Sequence, residues 1–328
     1  MKPRIAFIPG DPNGIGPELS AKLLSRADNV GRADVVVYAD PAVIAAGEHV
    51  AGEKALVSAI PAPGRATLHA LSLGGAAVIT PGRATEEGGR AVLASLAAAV
   101  DAAKRGEVQG IVFAPLNKHA LRLAGMEHED ELRWMAERLG VDGFTSEFNV
   151  TGDLWTSRVT SHVPLREVAD AISGEGVIDA VRIVHRYLAA SGIAAPRIAV
   201  AALNPHAGDG GSLGREEIDV IAPAVEAVRC EGIDARGPLP SDTVFVAARR
   251  GDYDAVVSMY HDQGQIAMKL MGFDRGVTLH GGLPVPVATC ASGTAFDIVG
   301  RGIANVEGLQ AAFDLATRIA ARGLARAA

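Results

Sequence analysis

Along the chain, short runs of β-branched and apolar residues alternate with longer stretches in which apolar positions recur every three or four residues. The short runs predict strands at Arg4–Ile8, Asp34–Tyr38, Gln109–Phe113, Arg197–Ala201 and Ala255–Met259. The longer stretches predict helices at Gly16–Arg26, Glu87–Ala103, Glu129–Leu139, Val177–Ser191, Arg215–Cys230 and Glu307–Arg322, each with a core-facing stripe such as Val92, Leu93, Leu96 and Val100. Strands alternating with helices imply an α/β fold of mostly parallel sheets with helices packed on them. The segment Thr278–Thr289, rich in Gly and Pro, interrupts that rhythm and reads as short strands or loops. No repeat of fixed period and no low-complexity linker marks a domain boundary.

Composition narrows the function classes. A chain of 328 residues, 48% hydrophobic, can bury a core for one or two domains. Aromatics at 4% and a net charge of −7 supply neither stacking platforms nor a basic footprint, which argues against a nucleic-acid partner. No apolar run approaches the roughly 18 residues of a membrane span, and the first apolar run is broken at once by Pro9-Gly10-Asp11, so a cytoplasmic location is expected. Cys230 and Cys290 form no metal or redox pattern.

In sheets of this kind, chemistry gathers on loops beyond the carboxyl ends of strands. The first strand runs into Gly10-Asp11-Pro12-Asn13-Gly14-Ile15-Gly16-Pro17-Glu18, a Gly-rich turn that opens a helix whose free N–H groups could meet an anion. A tight turn alone would equally explain its glycines. The strands beginning at Arg197 and Ala255 lead into Asn204-Pro205-His206 and Tyr260-His261-Asp262, and His162 lies in the extended Thr160-Ser161-His162-Val163-Pro164. Neutral imidazole is the commonest ligand of a catalytic divalent metal, and three of them leave positions open for substrate. Separations of 44 and 55 residues carry no ligand code, and a His taken singly is more often a hydrogen-bonded structural residue. Nearby Asp242 and Lys269 could orient or protonate an oxygen, or simply be solvated.

Together, GDPNGIGPEL, FAPLNKHAL, SHVPLREV, LNPHAGDGGSLGREEID, GPLPSDTVF, MYHDQGQIAMKLMGFDRGV and SGTAFDIVGRGIAN resemble, in order and over nearly the full length, the 4-hydroxythreonine-4-phosphate dehydrogenase family. The first and last pieces also look like the isocitrate and isopropylmalate dehydrogenases. The resemblance implies two lobes with a cleft between them: a cofactor-side lobe of residues 1–130 plus 285–328, and a metal, substrate and dimerisation lobe of residues 131–284. It implies NAD, or NADP, along Gly14, Gly16, Gly293, Thr294, Asp297 and Asn305. It also implies one divalent metal, zinc or similar with Co, Ni, Mn or Mg as alternatives. His162 and His206 of one subunit and His261 of its homodimer partner would hold that metal, with the active site at the interface. Lys269, Asp242 and Asp262 match positions that contact substrate. The implied reaction is hydride transfer from the carbinol carbon of a small hydroxy acid to the nicotinamide, with decarboxylation if a carboxylate lies β to the new ketone.

The chain departs from the family on the substrate side. An ungapped reading puts Asp130-Glu131-Leu132-Arg133 where the family has Gly-His-Thr-Glu, and Thr278 and Val287 where it has an Asn and an Arg. Glu131, Arg133, Thr278 and Val287 are therefore the expected substrate-side positions. Loss of a phosphate-gripping Arg is a change of chemistry. An alternative is thus a paralogue acting on a non-phosphorylated substrate, such as a cis-dihydrodiol carboxylate of aromatic-acid breakdown. An alternative of another class is a nucleotide- or sugar-acid-binding protein without turnover.

Overall fold

The computed structural model describes residues 2–272 and 275–324. Phe273 and Asp274 of the motif around Lys269, and residues 325–328 of the expected cofactor-side lobe, lie outside the described residues. The strands are β1 (Arg4–Ile8), β2 (Asp34–Ala39), β3 (Val57–Ser58), β4 (Ala66–Ala70), β5 (Gly110–Phe113) and β6 (Ser146–Thr151). They continue as β7 (Leu154–Arg158), β8 (Arg197–Ala201), β9 (Asp234–Leu239), β10 (Ala255–Ser258), β11 (Val277–Gly281) and β12 (Val287–Cys290). The chain divides into two compact units, the first made of Met1–Asp142 with Leu283–Gly323 and the second built on Gly143–Gly282.

The first unit carries the order β3-β4-β2-β1-β5-β12, every neighbouring pair parallel. Parallel strands need crossovers, and the helices supply them with one apolar face each. Helix Glu86–Lys104 shows how: the Thr85 hydroxyl accepts from the Gly88 amide to cap it, and Val92, Leu96, Ala99 and Val100 then fall on one buried face. That face packs against Ile8, Ile111 and Phe113 of the sheet, each such side chain contributing about 1.5–3 kcal/mol on burial.

The second unit carries the order β11-β6-β7-β10-β8-β9; β6 runs antiparallel to both neighbours, while β7, β10, β8 and β9 are parallel. Its helices Gly174–Ser191 and Ser241–Arg249 each present a buried apolar stripe, whereas His261–Met271 buries Gly264 and Met268. The stretch Arg215–Cys230 is not the single helix its periodicity predicts. A π-helical turn, Glu217–Ile221, precedes helix Ala222–Cys230. Pro223 has no N–H to give to a carbonyl four residues back, so the i→i−4 ladder cannot run through it.

Candidate active site

Each unit collects its polar groups at the carboxyl ends of three adjacent parallel strands. In the first unit these are β1, β5 and β12, which end in the Gly-rich turn, in Ala114–Asn117 and in Ala291–Thr294. The Asp11 amide donates to the Pro115 carbonyl (3.0 Å) and the Ile15 amide to the Thr294 carbonyl (3.0 Å). Asn117 Nδ2 lies 3.4 Å from Thr294 Oγ1. Gly14 is required by this junction: a Cβ there would stand 2.8 Å from the Thr294 Cβ and 3.0 Å from its carbonyl oxygen. A Cβ on Gly16 would meet the Pro9 carbonyl oxygen at 2.2 Å. Both glycines thus serve close backbone approach. Gly293, Asp297 and Asn305 are exposed, and the Asn305 side chain accepts from the Glu307 amide at the start of helix Glu307–Arg322.

Asp11 is the residue in this turn that sequence reasoning passed over as a site. It is wholly buried. Oδ1 accepts from the Asn13 amide at 2.8 Å, whereas Oδ2 has no hydrogen-bond partner among the described residues. Burial raises its pKa to about 6, only partly opposed by the Asn13 hydrogen bond.

In the second unit the three strands are β7, β10 and β8, followed respectively by His162, His261 and His206. The backbone at β7 and β10 stays paired past the strand ends, with the Val159 amide on the Ser258 carbonyl (2.9 Å) and the Thr160 amide on the Met259 carbonyl (3.0 Å). Gln263 ties β10 to β8, accepting from the Met259 amide (2.7 Å) and donating to the Ala202 carbonyl (2.8 Å). His162 and His261 consequently emerge side by side, ring centroids 5.6 Å apart and planes inclined by 36°. The resemblance assigns these two rings to different subunits; within one chain they already stand together, because β7 and β10 are neighbours.

Within one chain the ligand atoms of His162, His206 and His261 do not all come within 4.8 Å of one another. His261 Nδ1 is 2.6 Å from Asp262 Oδ1, a carboxylate contact that leaves Nε2 for a metal. His206 opens a run of left-handed backbone, φ being 54°, 54°, 77°, 43° and 66° from His206 to Gly210. His162 (φ 42°) and Ala295 (φ 42°) share that region. Every non-glycine residue with positive φ among the described residues, namely His162, His206, Ala207, Asp209 and Ala295, falls in a segment that the sequence marks as functional.

The strain at His206 is held by Glu217, at the start of the π turn. Its carboxylate accepts from the Leu203 amide (2.9 Å), the Asn204 amide (2.7 Å) and Asn204 Nδ2 (3.0 Å). Burial works against its charge, but these hydrogen bonds prevail and hold its pKa below the ordinary glutamate value.

Lys269 lies on helix His261–Met271, two turns from His261 and one from Gln265, on the same face. Asp242 is exposed in the first turn of helix Ser241–Arg249. Asp130 Oδ1 caps helix Glu131–Leu139 by accepting from the Arg133 amide (2.8 Å). Glu131 is buried, and Thr278 Oγ1 lies 3.5 Å from Asn149 Nδ2. Val287 is fully buried in the apolar cluster beneath β5, so its side chain is core packing rather than a substrate contact.

The model of the pyridoxal phosphate biosynthetic protein PdxA family matches residues 31–316. The chain belongs to the PdxA family. A Pseudomonas aeruginosa protein provisionally named 4-hydroxythreonine-4-phosphate dehydrogenase 2 is 50% identical over 97% of both chains. The crystal structure of 4-hydroxythreonine-4-phosphate dehydrogenase from Klebsiella pneumoniae superposes with a TM-score of 0.84 at 34% identity, covering 98% of each chain. A terephthalate 1,2-cis-dihydrodiol dehydrogenase from Burkholderia xenovorans superposes with a TM-score of 0.70 at 28% identity, covering 96% of this chain and 98% of that one. The fold extends to a β-decarboxylating dehydrogenase of Thermococcus kodakarensis, 15% identical with a TM-score of 0.51, covering 93% of this chain and 80% of that one. PdxA relatives are dehydrogenases, oxidoreductases acting on a CH–OH group. Among the described residues no helix is long and apolar enough to cross a membrane.

Proposed function

We propose that this PdxA-family chain is a metal- and NAD-dependent dehydrogenase that oxidises a small hydroxy acid, with loss of carbon dioxide where a carboxylate lies β to the new ketone. The observation that carries the reading is that His162, His261 and His206 each follow the carboxyl end of one of the adjacent parallel strands β7, β10 and β8, with His261 reaching the site of the partner subunit in the proposed dimer. When bound, a divalent metal there would act as a Lewis acid on the substrate hydroxyl and NAD would accept the hydride. Asp262 fixes the His261 ring and its tautomer. Lys269 offers an ammonium on the His261 face of its helix, suited to steadying negative charge on oxygen or returning a proton. His206 is the third candidate ligand. The junction of Gly14, Thr294 and the start of helix Gly16–Leu24 is the candidate NAD site.

A homodimer completes the proposal. Two exposed large apolar residues follow each histidine: Val163 and Leu165, Leu213 and Ile218, Ile266 and Leu270. Leu270 is 84% exposed and Leu165 73%. Apolar side chains gathered around a polar site favour a subunit interface beside it.

The substrate is either a phosphorylated hydroxythreonine-like acid or a non-phosphorylated dihydrodiol carboxylate. Burial of Val287, at the position of the family Arg, favours the second, while the stronger likeness, to the Klebsiella 4-hydroxythreonine-4-phosphate dehydrogenase, favours the first. The test is NADH formation at 340 nm with the protein charged with Zn2+ or Co2+, comparing 4-phosphohydroxy-L-threonine with aromatic dihydrodiol carboxylates. His162→Ala and His261→Ala should each abolish turnover and metal retention. A protein that binds neither metal nor NAD, and turns over neither substrate class, would refute the enzyme reading in favour of simple binding.

A further inference from the structure

We propose that Glu18 and Lys22 form a buried clamp that fixes the shape of the loop 294–304 for a dinucleotide, as positioning residues that act through the loop and not on the ligand. That role rests on the NAD site proposed above. Glu18 and Lys22 stand one turn apart on helix Gly16–Leu24, their side chains 3% and 16% exposed. The Lys22 ammonium spends every N–H it has: on Glu18 Oε1 (2.7 Å), on the Gly302 carbonyl (2.9 Å) and on the Ala304 carbonyl (2.9 Å). Glu18 Oε1 also accepts from the Ala304 amide (2.8 Å).

The other end of the loop hangs from the start of the same helix, where the Ile15 amide donates to the Thr294 carbonyl (3.0 Å). Along a helix, Ile15 and Lys22 are only about 10 Å apart, whereas the chain from Thr294 to Ala304 could reach about 35 Å if extended. The loop therefore carries far more chain than span. Its slack is folded into two turns, with the Ile298 amide on the Ala295 carbonyl (3.1 Å) and the Arg301 amide on the Ile298 carbonyl (3.2 Å). Ala295 and Gly302, one near each end, take left-handed backbone. A Cβ on Gly302 would stand 2.9 Å from the Val50 carbonyl oxygen, so the chain here passes close against helix Pro41–Ala51. With so few hydrogen bonds of its own, such a loop keeps one shape only while both ends are fastened. Asp297 within it and Asn305 just after it are exposed positions on the cofactor side.

A clamp of purely structural value would serve to hold helix Glu307–Arg322, which follows the loop. That helix is already held without it. Arg26 donates to Glu307 Oε1 (2.9 Å) and Gln310 Oε1 (3.0 Å), and the Asn29 and Gln310 amides exchange hydrogen bonds of 2.8 Å. Among the described residues, by contrast, the side-chain hydrogen bonds to backbone between Ala295 and Ala304 all come from Glu18 and Lys22. For stability alone, apolar packing serves as well as a buried ion pair. What this pair adds is a fixed geometry at three backbone groups of the loop.

The test reads NADH binding by fluorescence titration, Co2+ affinity by chelator competition, and trypsin cleavage after the exposed Arg301 in the ligand-free protein. Lys22→Met keeps the stem and removes the ammonium, while Glu18→Gln keeps an acceptor and removes the charge. With the loop in its competent shape about a tenth of the time, Lys22→Met should bind NADH roughly tenfold more weakly. Its kcat at saturating NAD and its Co2+ affinity should stay near wild type. Cleavage after Arg301 should quicken, and bound NADH should slow it again. Glu18→Gln should move both readouts the same way by less. The double variant, Glu18→Leu with Lys22→Met, leaves no buried charge unpaired, so wild-type NADH affinity in it would reduce the pair to a structural one and overturn the clamp. Folded single variants with wild-type NADH affinity would overturn it too, and leave the NAD site standing. A wild-type protein that binds no NADH would overturn both. Should Lys22→Met fail to fold, Glu18→Gln and the double variant still decide the matter.

Discussion

Replacing Asp11 with asparagine removes a carboxylate that is wholly buried and half unpartnered, and should make the protein more stable at neutral pH. The carboxyl has a pKa of about 6 in the folded chain against a reference of 3.8. The folded state therefore binds the proton more tightly than the unfolded one, and Asp11 costs stability progressively as pH rises from about 4 through 6. A shift of roughly two units corresponds to about 3 kcal/mol at pH 7.5, falling to about 0.5 kcal/mol at pH 4. Asparagine keeps an oxygen for the Asn13 amide and has no charge to bury. Urea unfolding of wild type and Asp11→Asn at pH 7.5, 5 and 4 should show a gain that shrinks in that order. A gain independent of pH, or no gain at pH 7.5, would refute the argument that the carboxylate is held charged against burial. Loss of activity alongside the gain would mark Asp11 as retained for function.

Gly14→Ala should push the Gly-rich turn away from Thr294, raising the KM for NAD by roughly tenfold, or about 1.4 kcal/mol, while chelator competition finds Co2+ affinity unchanged. Glu217→Gln turns an all-acceptor carboxylate into an amide whose NH2 faces amide donors, and should cost about 1–3 kcal/mol in urea unfolding. Because the Glu217 pKa is depressed, wild type should hold that advantage above the unfolded value near 4.5 and lose it as pH falls through the folded one. Leu270→Glu should shift the protein to monomer in sedimentation velocity, with loss of metal-dependent turnover; an unaltered dimer would place the interface elsewhere.

The strands that hold the site were legible because they are buried on both sides and spell continuous apolar runs. β1, β5, β8 and β10 lie within a residue of their predicted ends. β6 and β7 escaped, since Glu147, Asn149 and Arg158 put polar groups into what is otherwise a strand pattern. Helix His261–Met271 escaped for a related reason: exposed Ile266 and Leu270 blur its stripe. The histidines were readable from their position after strands. The contacts of Arg158, Asn149, Gln265 and Glu217 were not, because their partners lie 3 to 116 positions away and no local pattern announces which. The left-handed run at His206 was likewise hidden, since only the glycines at 208 and 210 hint at it.

The first unit is built from two stretches of chain separated by the whole of the second. On a ribosome adding about 5–20 residues per second, the first 142 residues wait roughly 10 to 30 s for β12 and helix Glu307–Arg322. During that interval β5 is an open edge without its partner β12, while the second unit is already free to fold around its histidines. The second unit thus matures before the first, and the Gly14–Thr294 junction forms only when the later segment arrives. A circular permutant that begins at Leu283 would supply β12 first and remove the delay, so it should need less chaperone assistance during synthesis.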